Sequence, residues 1–181
     1  MNSPIGETVA RESLKFFEAY SEAEIAAIES LANTIWHEHF TPIIGQAQVG
    51  YMLEKFQNKQ AIRQQMDSGY IYILAQQNDE NIGYAGIHPD KTNHALQLSK
   101  FYLLKEKRGQ GLGQQFMDYI EAICHQQHID RIWLTVNRHN TGPIAAYKRM
   151  GFIITQEIVQ DIGDGYVMDD FIMEKKLSSP A

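Results

Sequence analysis

The residues with the clearest chemical potential are Arg108-Gly109-Gln110-Gly111-Leu112-Gly113, which follow the strand-like run Leu96–Leu104 and open a helical stretch. Three glycines at such a junction let the backbone pass close to a ligand without Cβ interference. The exposed N–H groups of the helix's first turn, aided by its dipole, favour an anion such as a phosphate. Two known phosphate loops fail on spacing. A dinucleotide fingerprint starting at Gly109 needs glycine at position 114, which is Gln114. A Walker loop needs Gly-Lys-Ser/Thr where the chain has Gln114-Gln115-Phe116. Taken alone, the glycines also read as an ordinary turn.

A second group of residues lies downstream. Ile132-Trp133-Leu134-Thr135-Val136 reads as a short strand and Asn137–Gly142 as its exit loop. Pro143 suits a first helical turn, and Gly151 suits a left-handed cap after Ile144–Met150. Arg108-x-x-Gly111-x-Gly113, followed by Asn140, Tyr147 and Gly151-Phe152 at matching spacing, resembles the GNAT superfamily of N-acetyltransferases. The resemblance covers about residues 70–177, and the first 69 more loosely.

That resemblance implies a mechanism. Acetyl-CoA is an activated thioester, so the protein must hold its carbonyl, leave the amine neutral and protonate the departing thiolate. By family likeness the pantetheine arm pairs with the backbone of Phe101, Tyr102 and Leu103. The N–H groups of Gly109, Gln110, Gly111, Leu112, Gly113 and Gln114 wrap the pyrophosphate, with Arg108 beside them. Asn140 hydrogen-bonds the pantetheine, and Tyr147 stands near the sulfur as general acid. The rival reading of Tyr147 is a helix tyrosine packed on the sheet.

The general base is open. Some family members carry a glutamate where this chain has Gln97 and Thr135, and neither accepts a proton near neutral pH. His88 is a substitute by its titration range, or else a surface-loop histidine. Asp169-Asp170 either faces a cationic amine or marks an exposed strand end. His37-Glu38-His39 is not read as a metal site, because residues two apart on a helix diverge and His-Glu-x-x-His is broken by Thr41. Lys105-Glu106-Lys107 reads as a solvated face, and Cys124 as a structural thiol.

The expected function is N-acetyl transfer to a primary amine, with a small-molecule amine or polyamine favoured. Family-level echoes behind that are Trp36, Phe40, Tyr51-Met52-Leu53, Gly69-Tyr70-Ile71-Tyr72 and Asp169–Met173. Protein N-terminal or lysine acetylation, or a non-catalytic CoA-binding module, are the alternatives. Asn140 and Tyr147 together speak against a pure binder.

The rest of the chain must position these groups. Its 181 residues, 44% hydrophobic and 21% charged, fit one globular domain. A net charge of −6 argues against a nucleic-acid binder. No apolar run reaches ~18 residues and no signal h-region is present, so no membrane partner and a cytoplasmic address are expected. Homodimers are frequent in the family, so a homodimer is one state that the resemblance allows.

Residues 1–12 read as a flexible leader, 13–177 as a single N-acetyltransferase domain and 178–181 as a frayed tail. Within the domain, Ser13–Ala19 is a first strand. Ser21 and Glu24 form a capping box before a helix marked by Ile25, Ile28, Leu31, Ala32 and Ile35. Pro42 and Gly45 interrupt, and helices follow at 49–56 and 60–66. Strands follow at 70–75 and 82–87, with His88-Pro89-Asp90 ending the second. Leu112, Phe116, Ile120 and Ile123 mark the helix after the glycine loop, and 152–159 with 166–175 read as a closing hairpin. The fold class expected is α/β, a mixed, mostly antiparallel GNAT-like sheet flanked by helices. By the resemblance it is splayed between the strand before the glycine loop and the next strand.

Overall fold

The computed structural model describes residues 13–178. The expected leader, and all of the expected tail except Ser178, lie outside the described residues. Seven strands form one sheet: β1 (Leu14–Glu18), β2 (Ile71–Gln77), β3 (Glu80–Asp90), β4 (Ala95–Leu103), β5 (Arg131–Asn137), β6 (Ile153–Gly163) and β7 (Tyr166–Lys176). Their order is β1-β2-β3-β4-β5-β7-β6. Every neighbouring pair is antiparallel except β4–β5, which is parallel. The parallel ladder is short: it joins Ala95 to Arg131, Leu96 to Ile132 and Gln97 to Trp133, and then stops. From Leu98 to Leu103, β4 pairs only with β3. The expected splay is therefore present.

A bulge starts the divergence. Gly86 pairs with Lys100 but Ile87 with Leu98, which leaves Ser99 as an extra residue in β4. A bulge bends its strand and shifts the alternation of side chains. Here Leu98, Phe101 and Leu103 all belong to one core, while Tyr102 packs in the other.

The two cores lie on opposite faces. On one, α5 (Leu112–Gln126) and α6 (Thr141–Arg149) cover the sheet. Phe116 is wholly buried there and stacks on Phe16 at 4.8 Å. On the other pack α1 (Glu22–His39), α2 (Thr41–Ile44), α3 (Gln46–Phe56) and α4 (Lys59–Asp67). The capping box closes α1 as expected, with Ser21 and Glu24 each accepting from the other's backbone. Pro42 does not merely interrupt: it occupies the first turn of α2, where its missing donor costs nothing.

Pro89 corrects the sequence reading, since β3 runs through it to Asp90. Pairing with β2 has already ended at Ile87, so one edge of β3 is free there, a position where a strand tolerates proline. Among the described residues no helix is long and apolar enough to cross a membrane.

Candidate active site

The parted strands and two helix starts meet at one place. Gly109 and Gly111 have φ of +75° and +79°, and α5 begins from the left-handed Gly111. A Cβ at either would meet nothing within 4 Å, so glycine is demanded there by backbone conformation rather than crowding. At Gly113 a Cβ would only touch Met150 and Leu103 at ordinary contact distance. The N–H groups of Leu112, Gly113 and Gln114 open α5 and have no intrahelical acceptor. The loop thus presents a run of donors to open space.

Across the gap, Asn140 begins α6. Its side chain makes no capping bond although asparagine is a preferred cap. Instead the amide, only 6% exposed, turns toward α1, where His39 Nε2 lies 2.8 Å from its Oδ1. His39 Nδ1 in turn lies 3.2 Å from Arg108 Nη1, and Arg108 Nε donates to Leu103 O at 2.9 Å. Leu103, Arg108, His39 and Asn140 therefore form one polar chain from the end of β4 to the start of α6. Burial, with the nearby Arg108 charge, holds His39 below its usual pKa.

Tyr147 lies one side of this chain on α6, its ring 6.3 Å from Phe101 and 5.6 Å from Phe152. Phe152 N–H returns to Tyr147 O at 3.0 Å after the left-handed Gly151, which fixes the end of α6. Burial raises the Tyr147 hydroxyl well above its ordinary pKa, so it is a neutral donor at any physiological pH. Phe101, Tyr102 and Leu103 form the part of β4 that has lost β5 as a neighbour.

The face of β5 turned toward α1–α4 is open. Ile132, Leu134 and Val136 enter the α5/α6 core, while Trp133, Thr135 and Asn137 point the other way. Thr135 is exposed even though β5 is an inner strand, so no helix covers the sheet there. This uncovered strip beside the gap is a candidate acceptor trough. Gln48, Tyr51 and Lys55, on one face of α3, hold the β6–β7 hairpin at its end. Gln48 Nε2 donates to Val167 O at 3.1 Å, Tyr51 Oη to Ile162 O at 2.8 Å and Lys55 Nζ to Ile162 O at 2.5 Å.

Other sequence candidates separate from this centre. His88 stands on β3 opposite Gln97, its ring tilted against Tyr70 at 4.6 Å, with β4 between it and the gap. Gln97 accepts from the Tyr70 hydroxyl at 3.4 Å. Glu38 reaches Lys105 at 3.7 Å. Cys124 is buried, and burial pushes its thiol up to about 12, in keeping with a structural role. The acidic pair splits. Asp169 is bound to Arg138 at 2.6 Å, whereas Asp170 is 2% exposed and its Oδ1 has no partner among the described residues. Burial, and secondarily the Asp169 charge, raise the Asp170 carboxyl to about 6.

Two residues escaped the sequence reading. His39 was considered only for metal. Lys100 is 6% exposed, bonded to Gln65 Oε1 at 2.6 Å and set over the rings of Tyr70 and Tyr72. Burial lowers its ammonium to about 8. A lone lysine within an apolar strand was the available signal.

A mostly antiparallel sheet whose single parallel pair parts beside a glycine-rich helix start is the arrangement that the resemblance implies. The chain belongs to the acetyltransferase (GNAT) family, whose model matches residues 26–152. It is an acetyl-CoA-dependent N-acetyltransferase.

Solved structures agree in fold. The PaiA N-acetyltransferase of Thermoplasma acidophilum, in complex with coenzyme A, is 21% identical with a TM-score of 0.74, over 91% of this chain and 99% of that one. The ribosomal-protein-S18-alanine N-acetyltransferase of Escherichia coli is 14% identical with a TM-score of 0.68, over 93% and 97%. Among curated proteins, the streptothricin acetyltransferase of Streptomyces lavendulae is 29% identical over 70 residues, 39% of this chain. The match spans only 37% of that protein's length.

Proposed function

We propose that the protein moves an acetyl group from acetyl-CoA to a small primary amine by direct attack within a ternary complex. The N–H groups of residues 109–114 surround the pyrophosphate with Arg108 beside them. The free edge of Phe101–Leu103 and the Asn140 amide hold the pantetheine. The amine nitrogen attacks the thioester carbonyl carbon, the C–N bond forms and the C–S bond breaks. Tyr147 gives its proton to the leaving sulfur and regains one from the N–H of the tetrahedral intermediate. Burial keeps the phenol protonated at neutral pH, so the proton is present for the developing thiolate.

The observation that carries the small-acceptor reading is the α3 clamp on the hairpin. Tyr51 and Lys55 both bind Ile162 O and tie α3 to the end of the β6–β7 hairpin, which in this reading closes one end of the trough. An internal lysine on an extended chain needs a groove open at both ends, whereas a small amine does not. A thiol-release assay across polyamines, arylamines, amino acids and lysine or N-terminal peptides tests this. Turnover confined to small amines is the expected result. Turnover with peptides alone refutes the acceptor class, and CoA binding without turnover on any amine refutes catalysis.

A further inference from the structure

We propose that Asp170 is the catalytic base, taking the first proton from the incoming ammonium group. This rests on the acetyl-transfer reading above and supplies the acceptor that Gln97 and Thr135 cannot be. Asp170 stands in register opposite Asn137, the last residue of β5, and directly opposite residues share a face of the sheet. Its neighbours Phe171 and Met173 pack toward α5 and α6, and Met168 packs toward α1–α4, so alternation turns Asp170 to the trough side. It therefore stands, buried, on the trough side of the sheet two positions along from the exposed Thr135.

Tyr102, on the part of β4 that has left β5, lies close enough to both Asp170 and Tyr147 for their charges to bear on its hydroxyl. A buried carboxylate with an unsatisfied oxygen costs free energy in the absence of a ligand. An ammonium group is the ligand that removes this cost.

Few charges surround Asp170. Asp169 is the charged neighbour on its own strand and is neutralised by Arg138; Tyr102 faces it from β4; Asn137 of β5 and Ile158 of β6, its register partners, do not titrate. The raised carboxyl is a better acceptor than an ordinary one. Moving from 3.8 to about 6 favours proton transfer from a given ammonium roughly 100-fold. The step balances simply. The ammonium N–H bond breaks, the proton joins a carboxylate oxygen, and the freed lone pair attacks the thioester; Asp170 later returns the proton to water.

The test is the pH profile of kcat/KM for wild type, Asp170→Asn, Asp170→Glu and Asp169→Asn, alongside the Kd for CoA. Any acceptor that gives turnover serves, so a peptide substrate would refute the small-amine reading and leave this comparison intact. The wild type is expected to lose activity as pH falls through about 6, because protonation removes the base. Asp170→Asn should lose roughly 100-fold or more at neutral pH and lack that acidic limb, with CoA binding unchanged. It should melt no lower than wild type at pH 8, since it removes a buried charge. Asp170→Glu should restore a titrating limb and Asp169→Asn should keep it. Asp170→Asn with wild-type kcat/KM and an intact acidic limb would overturn the proposal.

Discussion

His39 Nε2 lies 2.8 Å from Asn140 Oδ1, which ties the last residue of α1 to the residue that opens α6. The proton positions follow from chemistry. Arg108 can only donate, so His39 Nδ1 accepts from it and the ring proton sits on Nε2, donating to Asn140. Asn140 Nδ2 is then left facing away from His39, as the donor for a ligand carbonyl.

If this bridge orients Asn140 and Arg108 for the cofactor, His39→Ala should raise the Kd for CoA several-fold. A hydrogen bond is worth about 0.5–1.5 kcal/mol net, or roughly 2- to 12-fold in affinity. The wild-type Kd should also rise as pH falls through the depressed His39 pKa, because a protonated Nδ1 can no longer accept from Arg108. Titration calorimetry between pH 5 and 8 checks both. A flat wild-type profile would detach His39 from binding.

Lys100 makes a separate claim about stability. Its ammonium falls from 10.5 to about 8 in the folded state, worth about 3 kcal/mol against the charged form. The folded protein binds fewer protons than the unfolded chain between those values, so stability rises with pH there. Below about pH 8 the full cost remains. Lys100→Met should be more stable than wild type at pH 7 and flat from pH 8 to 10, by urea unfolding. A wild-type curve without that rise would mean that Lys100 is solvated.

The glycine loop can be tested by charge. Space above residue 111 is open and a Cβ at 113 meets Met150 and Leu103 only at ordinary contact distance, so Gly111→Asp with Gly113→Asp places two negative charges among the α5 donors without a backbone clash. Binding of CoA should collapse while thermal unfolding shifts modestly, since aspartate tolerates left-handed backbone better than most residues. Unchanged CoA affinity would move the pyrophosphate elsewhere.

Most of the order of elements was readable because several helices carry a boundary signal, such as the Ser21–Glu24 box or the left-handed Gly151, whereas the four-residue α2 was read only as an interruption. The starts of α5 and α6 were readable for a similar reason, from Gly111 and from Pro143, while the roles given to Asn140 and Tyr147 rest on the resemblance. The bulge at Ser99 was not, because one extra residue becomes visible only against the partner strand. That slip also hides which β4 residues face which core. His39 was missed because its partners, Arg108 and Asn140, are distant in sequence and meet it only through the packing of α1. Asp169 and Asp170 are adjacent, yet strand alternation sends one to Arg138 and the other into the trough.

The central claim is that Tyr147 works at the sulfur of acetyl-CoA in the gap between β4 and β5. Tyr147→Phe keeps the ring and its contacts with Phe101 and Phe152, and removes only the hydroxyl. Measured together, kcat and the Kd for CoA decide it. The account predicts a fall in kcat of about 10²–10⁴-fold with the Kd within a few-fold of wild type. Full turnover with an unchanged pH profile would contradict it and leave Tyr147 as a packing residue.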